Sequence, residues 1–212
     1  GSSDDSTEIM DAGSAYVYTR NAGTWALEQR LVPAPISSGA SFGYAVALRG
    51  DEAIIGAPRV ASIVTLAPTS PGEVFGFHRT GKTWQQMHVL RAMLPRSSDS
   101  FGSSVALSGT AALIGACGDT SSARGIGADA SQRDGAYSGV AYLYAHENRD
   151  WKPSAYLKAG NADTYDMFGF GAALSEDSVV LSAIWEQSNA AGVNGNADNN
   201  GLSTSGAVYV FE

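Results

Sequence analysis

Small or apolar residues alternate with polar ones at a period of two along most of the chain, the pattern of half-buried strands. Residues 42–48, 101–107 and 168–174 read as a first strand rich in Gly, Ala and Ser. Each is followed by a short turn (Arg49-Gly50-Asp51, Ser108-Gly109-Thr110, Ser175-Glu176-Asp177) and a second apolar strand at 53–57, 111–116 or 179–183. A third strand starts at a glycine and alternates aromatic residues: Gly13 with Tyr16 and Tyr18, Gly72 with Phe75 and Phe77, Gly139 with Tyr142 and Tyr144, Gly206 with Tyr209 and Phe211. Tight turns at 20–23, 80–82 and 148–150 lead to a fourth strand beginning at Trp25, Trp84 or Trp151 and reaching Leu31, Leu90 or Leu157. No segment carries a helical period of useful length.

The spacing is constant. Each tryptophan stands 12 residues after its glycine, each Phe-Gly pair (Phe42-Gly43, Phe101-Gly102, Phe168-Gly169) 17 residues after the tryptophan, and Gly56-Ala57-Pro58, Gly115-Ala116-Cys117 or Ser182-Ala183-Ile184 another 14 on. Only the last leg varies, at 16, 24 and 24 residues. A fixed frame with one variable segment predicts repeated units that carry a tolerant surface loop. Four antiparallel strands per unit describe a blade, and stacking blades around an axis covers faces that a single sheet leaves wet. The expected fold is therefore all-β, a β-propeller or part of one. It divides into the second half of a blade (13–31), full blades at 42–90 and 101–157, and three strands of another (168–211). The aromatic strands and the tryptophans are expected to supply most of the contact between blades. Closed propellers have four to eight blades, so this count suits either an excerpt of a longer propeller or a part whose copies close a ring as a homo-oligomer.

The repeated Phe-Gly, with Gly56-Ala57-Pro58 ending the next strand, resembles the FG-GAP repeats of integrin α-subunit propellers and of bacterial cell-surface proteins. Phe101-Gly102 with Gly115-Ala116-Cys117 loses only the proline, and Phe168-Gly169 with Ser182-Ala183-Ile184 departs from the second half of the motif. The resemblance implies a β-propeller, usually of seven blades, that binds other macromolecules at the cell surface. Its calcium site, an Asp/Asn-rich loop between the first two strands, is not carried over, because Arg49-Gly50-Asp51 and its counterparts are too short to converge several oxygen ligands.

With 212 residues, 44% hydrophobic and 16% charged, the chain holds enough apolar mass for a core. A net charge of −8 argues against nucleic acid and anionic membrane surfaces as partners, and no apolar run is long enough for insertion into a bilayer. Gly1-Ser2 reads as a cloning remnant, so an export signal would not be visible. Cys117, the single cysteine, forms no intrachain disulfide and reads as a small buried side chain.

Chemistry-bearing residues are sparse. Arg49-Gly50-Asp51 has the form of an adhesion triplet but sits in the register of two unrelated turns. His78, His88 and His146 show no metal-ligand spacing, and the pairs Asp4-Asp5 and Glu176-Asp177 read as solvated loop residues. Residues 194–201 alternate oxygen donors like a calcium loop, with Asp198 the one charge and no closing acid; they read as a solvated Asn/Gly loop, with weak calcium binding as the alternative. Asp129 and Asp134 in another long loop do not repeat the spacing. Tyr137, Tyr165 and Trp185 fall in or beside the loops; blade packing is the plain reading, and stacking on sugar faces the functional one. No phosphate loop, zinc spacing or dinucleotide fingerprint is present. The expected function is a non-enzymatic, extracellular or cell-surface scaffold that binds a protein or glycan without a cofactor. A lectin-like propeller and a hydrolase using loop residues are the alternatives.

Overall fold

The computed structural model describes residues 11–35, 37–59, 70–147 and 150–212; Gly1-Ser2 and Asp4-Asp5 lie outside them. Among the described residues there are thirteen strands and no helix: β1 (Ala15–Asn21), β2 (Thr24–Leu31), β3 (Ala45–Arg49), β4 (Glu52–Ala57), β5 (Glu73–Thr80), β6 (Thr83–Leu90), β7 (Phe101–Leu107), β8 (Ala111–Ala116), β9 (Val140–Glu147), β10 (Asp150–Leu157), β11 (Phe168–Leu174), β12 (Val179–Ala183) and β13 (Ala207–Phe211). They form four antiparallel sheets in sequence order: β1-β2, β3-β4-β5-β6, β7-β8-β9-β10 and β11-β12-β13. The sheets thus hold two, four, four and three strands in turn. Two boundaries shift. The fourth strands begin one residue before the tryptophan, and β3 begins at Ala45, its first residue paired with β4, while Phe42 bridges in parallel to Gly13 ahead of β1.

Each sheet turns its aromatic face backward and its aliphatic face forward. Ala15 and Val17 of the first sheet pack with Phe42, Ile55, Phe75, Phe77 and Trp84 of the second. Ile54, Val74 and Leu90 of the second meet Phe101, Tyr142, Tyr144 and Trp151 of the third. Leu113, Ala141 and Leu157 of the third meet Phe168, Leu181, Tyr209 and Phe211 of the last. The phenylalanine of each Phe-Gly pair is fully buried and sits edge-on to both rings of its own aromatic strand, with centroids at 5.6 and 6.0 Å for Phe42, 5.6 and 6.2 Å for Phe101, and 5.2 and 6.3 Å for Phe168. Such edge-to-face contacts add to area burial.

The tryptophans correct one expectation. Trp84 and Trp151 are 3% and 8% exposed, but Trp25 is 65% exposed. The side chain faces backward in every repeat, and among the described residues no sheet precedes β1-β2. Val46 and Leu48 of β3 are also in solvent: they share the backward face of Ile55 and Phe77, and among the described residues the first sheet has no inner strands to cover them.

The repeated spacing of glycines has a steric cause at these interfaces. A Cβ on Gly56 would lie 2.1 Å from the carbonyl oxygen of Gly102 in the next blade, and one on Gly115 would lie 2.0 Å from that of Gly169. The glycines opening the aromatic strands are equally confined: a Cβ on Gly13, Gly72 or Gly139 would stand 2.1, 2.3 or 2.1 Å from the carbonyl oxygen of Phe42, Phe101 or Phe168. The phenylalanine N–H groups anchor this approach, donating to the carbonyls of Ala12, Pro71 and Ser138 at 2.9, 2.7 and 3.1 Å. Phe-Gly in one blade and the two glycines in the blade before it are therefore one contact surface read twice.

Candidate binding site

Antiparallel connectivity sends short turns to one end of the blades and long connections to the other. At the turn end the inner turns of three successive sheets converge, since Glu176 Oε1 accepts from Arg49 Nη2 and from the Gly109 N–H, each at 3.2 Å. Asp51 pairs with Arg79 at 2.7 Å. Arg49-Gly50-Asp51 is thus tied into turn-to-turn pairing, and Glu176 is an exposed partner in it rather than a free solvated carboxylate. The histidines do not converge. His78 contacts Glu52 at 2.7 Å, His88 lies 3.7 Å from Asp150, and His146 stacks on Trp151 with centroids 4.3 Å apart.

At the loop end the three aromatic candidates come together. The Tyr165 N–H donates to Ala136 O at 2.7 Å, Met167 to Tyr137 O at 2.9 Å, and Trp185 to Asp166 O at 3.3 Å. These bonds join the end of the 117–139 loop, the β10–β11 connection and the start of the 184–206 loop into one rim. Tyr137 and Tyr165 stack with centroids 6.0 Å apart and planes at 15°. Tyr137, Tyr165 and Trp185 are 43%, 51% and 44% exposed, so none is consumed by blade packing.

A polar cleft of about 350 Å³ adjoins the rim in sequence, lined by Arg124, Asn161, Asp163 and residues 197–200. Its walls are held by their own bonds. Asn161 Nδ2 donates to Glu186 and to Ala197 O, Tyr209 donates to Asn161 Oδ1 at 2.8 Å, and Asn200 donates to Asp163 at 3.0 Å. Of the alternating donors in the 194–201 loop, Asn196 Oδ1 accepts the Asp198 N–H at 3.0 Å, while the intervening Asn199 Oδ1 accepts from the Asn189 and Gly201 N–H groups at 3.1 Å each. Among the described residues no group of three His, Cys, Asp or Glu side chains is placed to hold a metal. Asp129 accepts from both Ser131 groups at 2.9 Å, and hydrogen bonding by Ser122 holds Asp134 below the usual carboxylate range.

Beneath the 117–139 loop lies a charge cluster that sequence reasoning missed. Lys158, fully buried, donates to Ser138 Oγ at 2.6 Å, Gly139 O at 2.8 Å and Asp119 Oδ1 at 3.3 Å. Arg133 meets Asp119 Oδ2 at 2.5 Å and Leu94 O at 3.2 Å, and the Ser121 and Tyr156 hydroxyls share a hydrogen bond. Burial pulls Lys158 down to about 8 against the attraction of Asp119. Burial would raise Asp119, but Lys158, the Ser121 groups and Arg133 outweigh it and leave the carboxyl below its usual range. Cys117 is buried as expected, and burial raises its thiol pKa. The missed signal was a register: Asp119 and Glu186 both stand four residues past the motif's Gly115 or Ser182, and Asp99 and Asp166 both stand two before Phe-Gly.

Burial raises Asp99 to about 7 and Asp166 to about 6, while N–H donors from Arg96 and Asp163 act in the opposite direction. Folded Asp99, which faces Asp119, Arg133 and Arg96, keeps a proton that the unfolded chain has lost above pH 3.8. Its contribution to stability is therefore greatest below pH 3.8 and is lost as the pH rises through about 7. Asp99→Asn is expected to flatten the fall in stability between pH 4 and 7 in urea titrations; an unchanged slope would place the protonation elsewhere.

Radiating antiparallel blades with a loop-bearing rim define a propeller-type repeat scaffold of the kind used in binding. The chain belongs to the FG-GAP repeat family, whose pattern it matches over residues 25–75, 84–144 and 151–211. Each match starts at a tryptophan strand and ends in the next blade's aromatic strand, so the sequence repeat is offset by one strand from the sheet and links neighbouring blades covalently. A comparison with curated proteins found no match.

Proposed function

We propose that the chain is a non-enzymatic binding scaffold, extracellular or at the cell surface, that engages a protein or glycan through the loop end of its blades. The observation that carries this reading is the exposed, hydrogen-bonded rim of Tyr137, Tyr165 and Trp185. Rigid sheets hold the rim in place while loop length varies, which suits recognition. A lectin-like mode is favoured by the stacked tyrosines, since ring faces take apolar sugar surfaces, and separately by the polar cleft, whose Arg124, Asp198 and Asn200 suit hydroxyl groups. A hydrolase reading is disfavoured by Ser138 and Lys158: this hydroxyl–amine contact is sealed from solvent, and the lysine is committed to Asp119.

The test is a panel of immobilised glycans and surface proteins probed with the chain and its variants. Tyr165→Ala and Trp185→Ala are expected to weaken binding at least about tenfold, as loss of a stacking aromatic anchor does, while Asp51→Ala at the turn end leaves it unchanged. Binding lost only through turn-end substitutions would overturn the assignment of the face. Absence of any sugar ligand would retire the lectin mode, and turnover of ester, peptide or glycoside substrates would retire the non-enzymatic reading.

A further inference from the structure

Three buried polar atoms of the charge cluster have no hydrogen-bond partner among the described residues: Asp99 Oδ1, Arg133 Nε and the Tyr142 hydroxyl. Asp99 and Tyr142 are each 1% exposed, and the Arg133 side chain 12%. The three are neighbours, since the charges of Asp99 and Arg133 both act on the Tyr142 hydroxyl and that of Arg133 acts on Asp99. The rest of each group is tied down. Asp99 Oδ2 accepts the Arg96 N–H at 2.7 Å, the two terminal nitrogens of Arg133 bond Asp119 and Leu94 O, and the Tyr142 ring packs edge-on to Phe101 and Tyr156. Each group is thus fixed with one polar atom left over. A buried polar atom without a partner is costly, and three in one cluster call for a partner they share.

The next interface shows how the same register is satisfied by protein alone. Tyr209 is the counterpart of Tyr142, three residues after the strand glycine, and Glu186 is the counterpart of Asp119. There the Tyr209 hydroxyl donates to Asn161 Oδ1 at 2.8 Å, and Asn161 Nδ2 donates to Glu186 at 3.0 Å. Asn161 stands four residues after Leu157, the end of β10; four residues after Leu90, the end of β6, stands Leu94. Arg133 takes over the donation to the buried acid, but the Leu94 side chain has nothing to accept from a tyrosine. Whatever fills that role must also meet Arg133 Nε and Asp99 Oδ1. A guanidinium and a carboxyl side by side favour neither an anion nor a cation. A small neutral molecule with two donors and two acceptors fits: it accepts from the Arg133 N–H, donates to Asp99, and takes the Tyr142 hydroxyl in either sense. The match survives protonation of Asp99, because the Tyr142 hydroxyl can then accept while the carboxyl O–H donates.

We propose that one buried water bridges Asp99 Oδ1, Arg133 Nε and the Tyr142 hydroxyl, in the role that the Asn161 side chain plays at the next interface. About three hydrogen bonds are the usual complement of an internal water. The bridge fastens the 94–99 connection to the 117–139 loop and to β9. The loop that leads to Tyr137 therefore rests on an internal solvent molecule as well as on the Lys158–Asp119 pair.

A high-resolution crystal structure of the wild-type chain is expected to show one fully occupied solvent peak within hydrogen-bonding distance of all three atoms, with no anomalous signal there after a bromide soak. In solution, NMR is expected to show water-to-protein NOEs at the Tyr142 ring with the sign of a long-lived water. Leu94→Asn, at a half-exposed position, is expected to remove both the peak and the NOEs, because the amide can accept from Tyr142 and donate to Asp99. The wild-type measurements stand alone if that variant fails to fold. A direct bond from Asp99 to Arg133 or Tyr142, density without a peak, bromide in the site, or a peak unchanged in folded Leu94→Asn would overturn the proposal.

Discussion

Gly139→Ala is expected to cost about 3–4 kcal/mol, whereas Gly206→Ala costs about 1 kcal/mol, although both glycines open an aromatic strand in the same register. Their backbones are nearly identical, with φ of 76° and 75°, so the penalty for placing a Cβ in the left-handed region is common to both. Their surroundings differ. A Cβ at residue 139 would meet Phe168 O at 2.1 Å and Phe168 N at 2.4 Å, atoms of the neighbouring blade's backbone that cannot rotate away. At residue 206 nothing comes nearer than 3.4 Å. Relief at residue 139 requires the third and fourth sheets to separate, which exposes the cluster around Leu113, Phe168 and Leu181. Urea titration of the two variants measures the difference directly, and equal losses would show that conformation alone, not blade contact, demands glycine.

That comparison also explains why the fold was readable from the sequence. The Phe-Gly pair, the strand glycines and the motif glycines each satisfy a contact with the adjacent blade, so their spacing is an image of the interface. Period-two alternation gave the strands, because successive side chains point to opposite faces of a sheet. Trp25 was misread because sequence marks which way a side chain points, not whether a neighbour is there to receive it. The rim was half legible. Tyr137, Tyr165 and Trp185 could be named as aromatics in or beside the loops, but their common rim depends on backbone bonds that span 19 to 30 residues. The charge cluster was hidden for a different reason. Lys158, Asp119 and Arg133 are ordinary surface types, and only their burial beneath the loop makes them structural.

Asp119→Ala is expected to destabilise the chain by roughly 3–5 kcal/mol, the usual result of removing one partner from a buried ion pair. The carboxylate faces two cations, Lys158 at 3.3 Å and Arg133 at 2.5 Å, and also accepts the Ser121 N–H at 2.9 Å. Without it, a fully buried ammonium is left with Ser138 Oγ and Gly139 O as its hydrogen-bond acceptors and no opposite charge in contact. Lys158→Met removes the stranded charge, so the double variant is expected to lose less than the sum of the two single losses, which a double-mutant cycle reads as coupling. The pH dependence separates this from simple loss of packing. The folded state binds the Lys158 proton more weakly than the unfolded chain, at about 8 against 10.5, so stability rises with pH across that window. Removing Asp119 takes away the attraction that opposes this shift and lowers the folded value further. The deficit of Asp119→Ala relative to wild type should therefore shrink as the pH climbs toward 8, and stay constant above it, where both proteins shed the proton on folding. A deficit independent of pH would mean that the 117–139 loop is held by its hydrogen bonds and packing, and that the buried charges are bystanders.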